Sequence, residues 1–168
     1  MENLEVLKRK ILSGDELNRV LAYWRFRGYR VVFTNGCFDL IHLGHIDYLS
    51  RAADCGHILM VGLNSDDSVR RLKGQGRPIN NETARSMTLA ALHCVDAVVI
   101  FGEDTPYELI RQVQPDVLIK GSDYKAHEVV GYDIVTQKGG VVKTIEFVDG
   151  YSTTLIEEKI RSGQGSYT

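Results

Sequence analysis

Short apolar runs alternate with longer segments of helical periodicity along most of the chain, and this alternation most narrows the folds open to it. The runs are Val31-Val32-Phe33 and the stretches 58–63, 97–101, 117–119 and 141–145; the helical segments fall at 43–55, 65–72, 82–94, 105–113, 128–138 and 153–161. Runs this short and this rich in β-branched residues are strands rather than helices. Strand and helix in alternation predict a parallel sheet covered on both faces, with all five strands buried. The expected fold is therefore α/β, a doubly wound, Rossmann-like five-stranded parallel sheet. In such sheets ligands sit beyond the carboxyl ends of the strands, where the winding direction reverses. Ahead of the first strand, Leu4, Leu7 and Ile11, then Leu17, Val20, Leu21 and Trp24, recur at three- and four-residue spacing, which predicts two short helices joined at Ser13-Gly14-Asp15. The expected division is a helical extension over 1–28, one α/β domain over 29–161 and a flexible tail over 162–168.

A chain of 168 residues is the size of one domain. Its 20 Lys and Arg against 22 Asp and Glu leave a formal net charge of −2, so no general basic field exists for a nucleic-acid backbone. Cys37, Cys55 and Cys94 form no CxxC pair, and three is an odd number, so neither a disulfide framework nor a zinc ribbon is expected. No window approaches the roughly 18 apolar residues of a membrane span, and the first residues carry charges every few positions, unlike a signal peptide. A cytoplasmic protein without membrane or nucleic-acid partners is expected.

The stretch 34–45, Thr-Asn-Gly-Cys-Phe-Asp-Leu-Ile-His-Leu-Gly-His, leaves the first strand and runs into the amphipathic segment Ile46-Asp47-Tyr48-Leu49. His42 and His45 stand at i and i+3 on one face of a first helical turn, where unpaired backbone N–H groups and the helix dipole favour an anion. Imidazole donors there stabilise charge gathering on a phosphate, while Gly44, and Gly36 at the strand end, let that phosphate approach the backbone. Other phosphate motifs fail: the chain has no GxxxxGK[ST], and Gly74-Gln75-Gly76-Arg77-Pro78-Ile79 lacks the third glycine of GxGxxG. Nor does any further ligand cluster complete a zinc site around His42, His45, Cys37 and Asp39, so no metal ligands are assigned.

Further groups follow in order: Asn64-Ser65-Asp66, Arg71-Leu72-Lys73-Gly74 with Arg77-Pro78, Glu103-Asp104-Thr105-Pro106, Lys120-Gly121-Ser122-Asp123-Tyr124 and Asp149-Gly150-Tyr151-Ser152-Thr153-Thr154. With the stretch 34–45, this set resembles the HxGH nucleotidylyltransferase superfamily and, within it, the heptose-1-phosphate adenylyltransferases, over residues 30–160. The resemblance implies transfer of AMP from ATP to D-glycero-β-D-manno-heptose 1-phosphate, giving ADP-heptose and pyrophosphate for lipopolysaccharide core or another surface glycan. It further implies a free-standing form without the sugar kinase often fused to such domains, Mg²⁺ accompanying ATP, and a homodimer or higher homo-oligomer in which helices bearing Tyr23 and Trp24 could meet.

Under that resemblance His42, His45 and Lys73 are the catalytic candidates. Thr34, Asn35, Gly36, Cys37, Phe38 and Gly44 would cradle the nucleotide, with Asn64 and Asp66 after the second strand. Lys120, Gly121 and Asp123 would lie at the switch point, and Ser152, Thr153 and Thr154 would present hydroxyls and free N–H groups to phosphates at a helix start. Asp39, Arg77, Arg85 and Tyr124 are the candidates for the acceptor sugar phosphate, the arginines because a planar fork matches phosphate. One departure stands out: many superfamily members carry a basic residue three positions after the hydroxyl cluster, and here that residue is Glu157. The competing expectations are a glycerol-3-phosphate cytidylyltransferase and a non-catalytic nucleotide sensor.

Overall fold

A computed structural model describes residues 2–122 and 125–163. Helices α1 (Asn3–Lys8) and α2 (Gly14–Phe26) precede strand β1 (Val31–Gly36). Then follow α3 (Leu43–Ala53), β2 (Ile58–Asn64), α4 (Asp66–Lys73), α5 (Glu82–Ala91), β3 (Ala97–Phe101) and α6 (Tyr107–Val113). Strand β4 (Val117–Gly121), α7 (Tyr132–Gln137), β5 (Val141–Ile145) and α8 (Thr153–Ser162) complete the order. The five strands form one parallel sheet in the order β3-β2-β1-β4-β5. The chain winds outward from β1 through β2 to β3, then crosses to β4 and winds the other way. The expected doubly wound sheet is present, and its switch point lies between the carboxyl ends of β1 and β4.

The side-chain alternation of β1 builds both layers. Val31 and Phe33 enter a core with Met60, Val99 and Leu118, which α2 covers with Leu17, Leu21 and Trp24 at helical spacing. Val32 enters the opposite core with Leu59, Val61 and Ile119, covered by Leu49 and Ala52 of α3 and Leu89 and Ala90 of α5. The N-terminal helices therefore share the core of the sheet. The link between them also caps the sheet: Ile11 bridges Val98 in parallel, with Leu12 N–H donating to the Val98 carbonyl at 2.8 Å and Val98 N–H to the Lys10 carbonyl at 2.8 Å. This occupies part of the outer edge of β3, which would otherwise offer unpaired backbone groups.

Two expectations need correction. Strand β5 is not buried: it is an edge strand and, unlike β3 at the other edge, which pairs with the Ile11 link, it leaves Val141, Lys143 and Thr144 facing solvent. The single helix expected over 128–138 is instead a 3₁₀ turn, Ala126–Glu128, followed by α7, the two separated where Gly131 adopts φ 90°. Among the described residues no helix is long and apolar enough to cross a membrane.

Candidate active site

The site grows from the carboxyl end of β1. Thr34 is buried, and its hydroxyl shares a 2.7 Å hydrogen bond with the Tyr48 hydroxyl, fixing α3 to the strand. Its expected place in the cradle is therefore corrected: it lies beneath the site and acts through α3. Beyond Gly36 the chain turns at Phe38, whose φ of 44° lies in the left-handed region, a strain of about 1–3 kcal/mol for such a residue. The turn lays the Phe38 ring over Gly36, where a Cβ would stand 3.1 Å from it, and brings it to His45 with ring centroids 5.2 Å apart. His42 occupies the position before the first residue of α3. Its ring stacks on that of His45, centroids 3.8 Å apart and planes inclined by 23°. Gly44 permits this, since a Cβ there would stand 3.1 Å from His42 Nδ1. Among the described residues neither Nδ1 has a hydrogen-bond partner.

Burial pushes the His45 imidazole down to about 4, the adjacent His42 and Lys73 pushing the same way against a backbone hydrogen bond with Leu40. Burial also lowers His42. The His45 ring is thus neutral near pH 7 in the empty site. The same burial makes stability depend on pH. The unfolded chain takes up a proton near 6.5 and the folded chain only near 4, so this contribution is complete above pH 6.5 and is lost as pH falls towards 4. Urea unfolding at pH 8, 6, 5 and 4 is expected to show a loss over that window of at most about 3 kcal/mol from this group, and His45→Gln should flatten it.

A cavity of about 190 Å³ opens beside the pair. Its walls include Asn35, Gly36, Cys37 and Phe38 from the turn, His45 and Tyr48 from α3, and Lys73 from the end of α4. Arg77, Lys120, Gly121 and Thr153 reach it from three other segments, and Asp39 and Phe147 complete it. Most of the expected site residues are thus brought together, around a mouth carrying the side chains of Lys73, Arg77 and Lys120. His42 stacks behind His45 without lining the cavity, and Ser152 accepts the Leu155 N–H at 3.1 Å to cap α8. Burial pushes the Cys37 thiol up, which leaves it protonated as an uncharged part of the wall.

Two acceptor candidates prove to be structural. Arg85 is buried, its side chain fully shielded from solvent. It donates to the carbonyls of Cys37 at 2.7 Å, Asn64 at 2.9 Å and Asn80 at 2.9 Å, and to the Asp66 carboxylate at 2.7 Å. Its fork has no face left for a sugar phosphate, and it instead ties the turn after β1 to the ends of β2 and of the loop 74–81. The Asp39 carboxylate accepts from Arg77 and from the N–H groups of Ile79 and Asn80 at 2.8–2.9 Å. Burial raises the Asp39 carboxyl, but these donors outweigh it and hold the group below its usual range. Asn64 and Asp66 are engaged as well, Asn64 Nδ2 donating to the Ser68 hydroxyl at 3.0 Å. Asp123 and Tyr124 lie outside the described residues, as does 164–168 of the expected tail.

A second cavity of about 320 Å³ shares Asn35, Gly36, Cys37 and Lys120 with the first and extends to Asp104, Thr105 and Glu128. A larger groove of about 680 Å³ runs between α2, β3 and α6, away from the histidines and the switch point. Sequence reasoning missed Tyr48 and Phe147, whose stacked rings, centroids 5.4 Å apart, wall the first cavity. Tyr48 carried a signal, since it stands one helical turn after His45; Phe147 carried none.

A stacked imidazole pair at the start of the helix after the central strand, beside Lys73 and Lys120, is suited to handling phosphates, the chemistry that many doubly wound folds carry out at this place. Residues 33–159 match the cytidylyltransferase-like family, and the chain belongs to it. It is 53% identical over 154 residues to the bifunctional protein HldE of Wolinella succinogenes, covering 92% of this chain and 32% of that protein. With the bifunctional protein HldE of Nitratiruptor sp. the identity is 59% over 171 residues, covering 96% and 36%. The chain thus spans about a third of the length of the curated relatives it matches. The lipopolysaccharide core biosynthesis protein of Thermoplasma volcanium is similar in structure, with a TM-score of 0.60, 29% identity and coverage of 74% of this chain and 100% of that one. The pantoate-beta-alanine ligase of Francisella tularensis shares the fold, with a TM-score of 0.59 at 15% identity over 88% of this chain and 75% of that one.

Proposed function

We propose that the chain transfers AMP from ATP to D-glycero-β-D-manno-heptose 1-phosphate, releasing pyrophosphate and forming ADP-heptose for a lipopolysaccharide core or related surface glycan. The observation that carries this reading is the stacked, neutral imidazole pair at the start of α3, beside the cations Lys73 and Lys120. The choice of sugar is supported by the ordered motifs shared with heptose-1-phosphate adenylyltransferases and by the high identity to the HldE proteins.

In this reading an acceptor phosphate oxygen attacks the α-phosphorus of ATP in line, and the bond to the β,γ-pyrophosphate breaks as the new one forms. The protein orients two anions and answers the charge that develops on the leaving pyrophosphate. His45, steadied by His42, donates to that charge, Lys73 offsets it, and the N–H groups opening α3 and α8 hold phosphate oxygens. The second cavity would take the acceptor, because it meets the first at Asn35, Gly36 and Cys37. Asn35 Oδ1, buried and without a partner among the described residues, is suited to a hydroxyl. Mg²⁺ would enter as part of the MgATP substrate, since it is commonly held by substrate phosphate oxygens and water with few protein ligands.

Pyrophosphate release tests the proposal, with ATP, CTP and GTP each offered against heptose 1-phosphate, glycerol 3-phosphate and other sugar 1-phosphates. Turnover is expected with ATP and heptose 1-phosphate alone. Turnover with CTP and glycerol 3-phosphate would move the assignment to a glycerol-3-phosphate cytidylyltransferase.

A further inference from the structure

Arg77, on the loop 74–81, is held between two carboxylates. Its Nη1 donates to Asp39 at 2.9 Å, while its Nη2 forms an ion pair with Glu157 of α8. The two contacts differ in quality. Asp39 is satisfied by two backbone N–H groups in addition to Arg77. Glu157 Oε1 is buried, and its ion pair with Arg77 is its one partner among the described residues. The helix that carries it is lightly held: no residue of α8 is buried, and Leu155 is 40% and Ile160 72% exposed. The guanidinium between them lines the first cavity with Lys73 and Lys120.

We propose that Glu157 sets the affinity of this cavity for phosphate chains by competing with them for Arg77. The proposal rests on the reading of the first cavity as the phosphate site. A guanidinium edge accepts a carboxylate or a phosphate with the same geometry, so one edge of Arg77 serves either Glu157 or the ligand. Asp39 keeps Arg77 in place when that edge changes partner. Glu157 also puts a negative charge where a polyanion must enter, which weakens binding of substrate and product alike and favours release.

Calorimetry with inorganic tripolyphosphate on the full chain tests this independently of the base and the sugar. Glu157→Gln is expected to tighten binding by about 3- to 10-fold, the gain shrinking at high salt. Glu158→Gln, which removes the same charge from the exposed neighbouring position, is expected to change it by less than about 2-fold. In an Arg77→Gln background the gain from Glu157→Gln should vanish. Glu157→Asp, with its carboxylate drawn back from Arg77, should tighten binding in the same direction but less. In steady-state turnover Glu157→Gln should lower the KM for ATP without raising kcat, because product leaves more slowly. Unchanged or weaker tripolyphosphate binding in both Glu157 variants overturns the proposal, as does a gain that persists without Arg77. Absence of binding in every variant removes the phosphate site itself, and the proposal with it; loss of heptose turnover alone leaves it standing.

Discussion

Replacing His45 by alanine is expected to lower pyrophosphate release by about 10²- to 10³-fold while ATP binding stays within about 3-fold. In the proposed reaction the ring, set against Phe38 on one side and His42 on the other, acts where charge develops, and alanine leaves that position without a donor. The imidazole in that reaction donates an N–H as pyrophosphate departs, a contact that strengthens in the transition state and is weak in the ground state. Turnover and calorimetric affinity measured on the same preparation separate the two contributions. A protein that only sensed nucleotide would have no turnover to lose, and equal losses in affinity and rate would mean that His45 merely binds. His42→Ala should cost less, since His42 lies outside the cavity and acts through the stack.

The second large effect is on stability. Arg85→Met is expected to destabilise the fold by about 3–5 kcal/mol, because it strips the partner from the Asp66 carboxylate and leaves the carbonyls of Cys37, Asn64 and Asn80 without a donor. Against the roughly 5–15 kcal/mol by which domains are stable, that is a large share, and urea unfolding will read it directly. Arg85→Lys should recover little, since one ammonium cannot span acceptors on three separate segments. Both variants should also lose turnover beyond the unfolded fraction, because the Cys37 carbonyl that Arg85 grips immediately precedes the strained Phe38 turn.

Much of the architecture was legible because burial leaves a period in the sequence. The runs at 31–33, 58–63 and 97–101 are apolar at consecutive positions and too short for helices, which fits strands covered on both faces, and all three are buried, β3 at an edge that the Ile11 link partly covers. The run 141–145 also reads as a strand, although Lys143 and Thr144 interrupt it, and its strand lies at an exposed edge; strand order depends on which crossover goes where, and no local pattern records that. The helical reading of 128–138 passed over Gly131, whose positive φ breaks the segment. The histidine pair was legible for a different reason, since i and i+3 in a first helical turn fix two side chains on one face whatever surrounds them. Arginine was not legible in that way. Arg77 and Arg85 have the same chemistry and lie eight residues apart, but one lines the cavity and the other is buried under it. What separates them is the set of carbonyls waiting beneath the loop, supplied by Cys37 and Asn64 from distant parts of the chain.

Asn35, Gly36, Cys37 and Lys120 form a party wall between the two cavities. A shift of that wall made to suit one occupant is presented unchanged to the other. Thermodynamic linkage then makes the influence mutual: the factor by which nucleotide alters affinity for the acceptor equals the factor by which acceptor alters affinity for the nucleotide. In the proposed reading, where these cavities hold nucleotide and acceptor, a substitution that moves this wall to suit another sugar is expected to change nucleotide affinity with it.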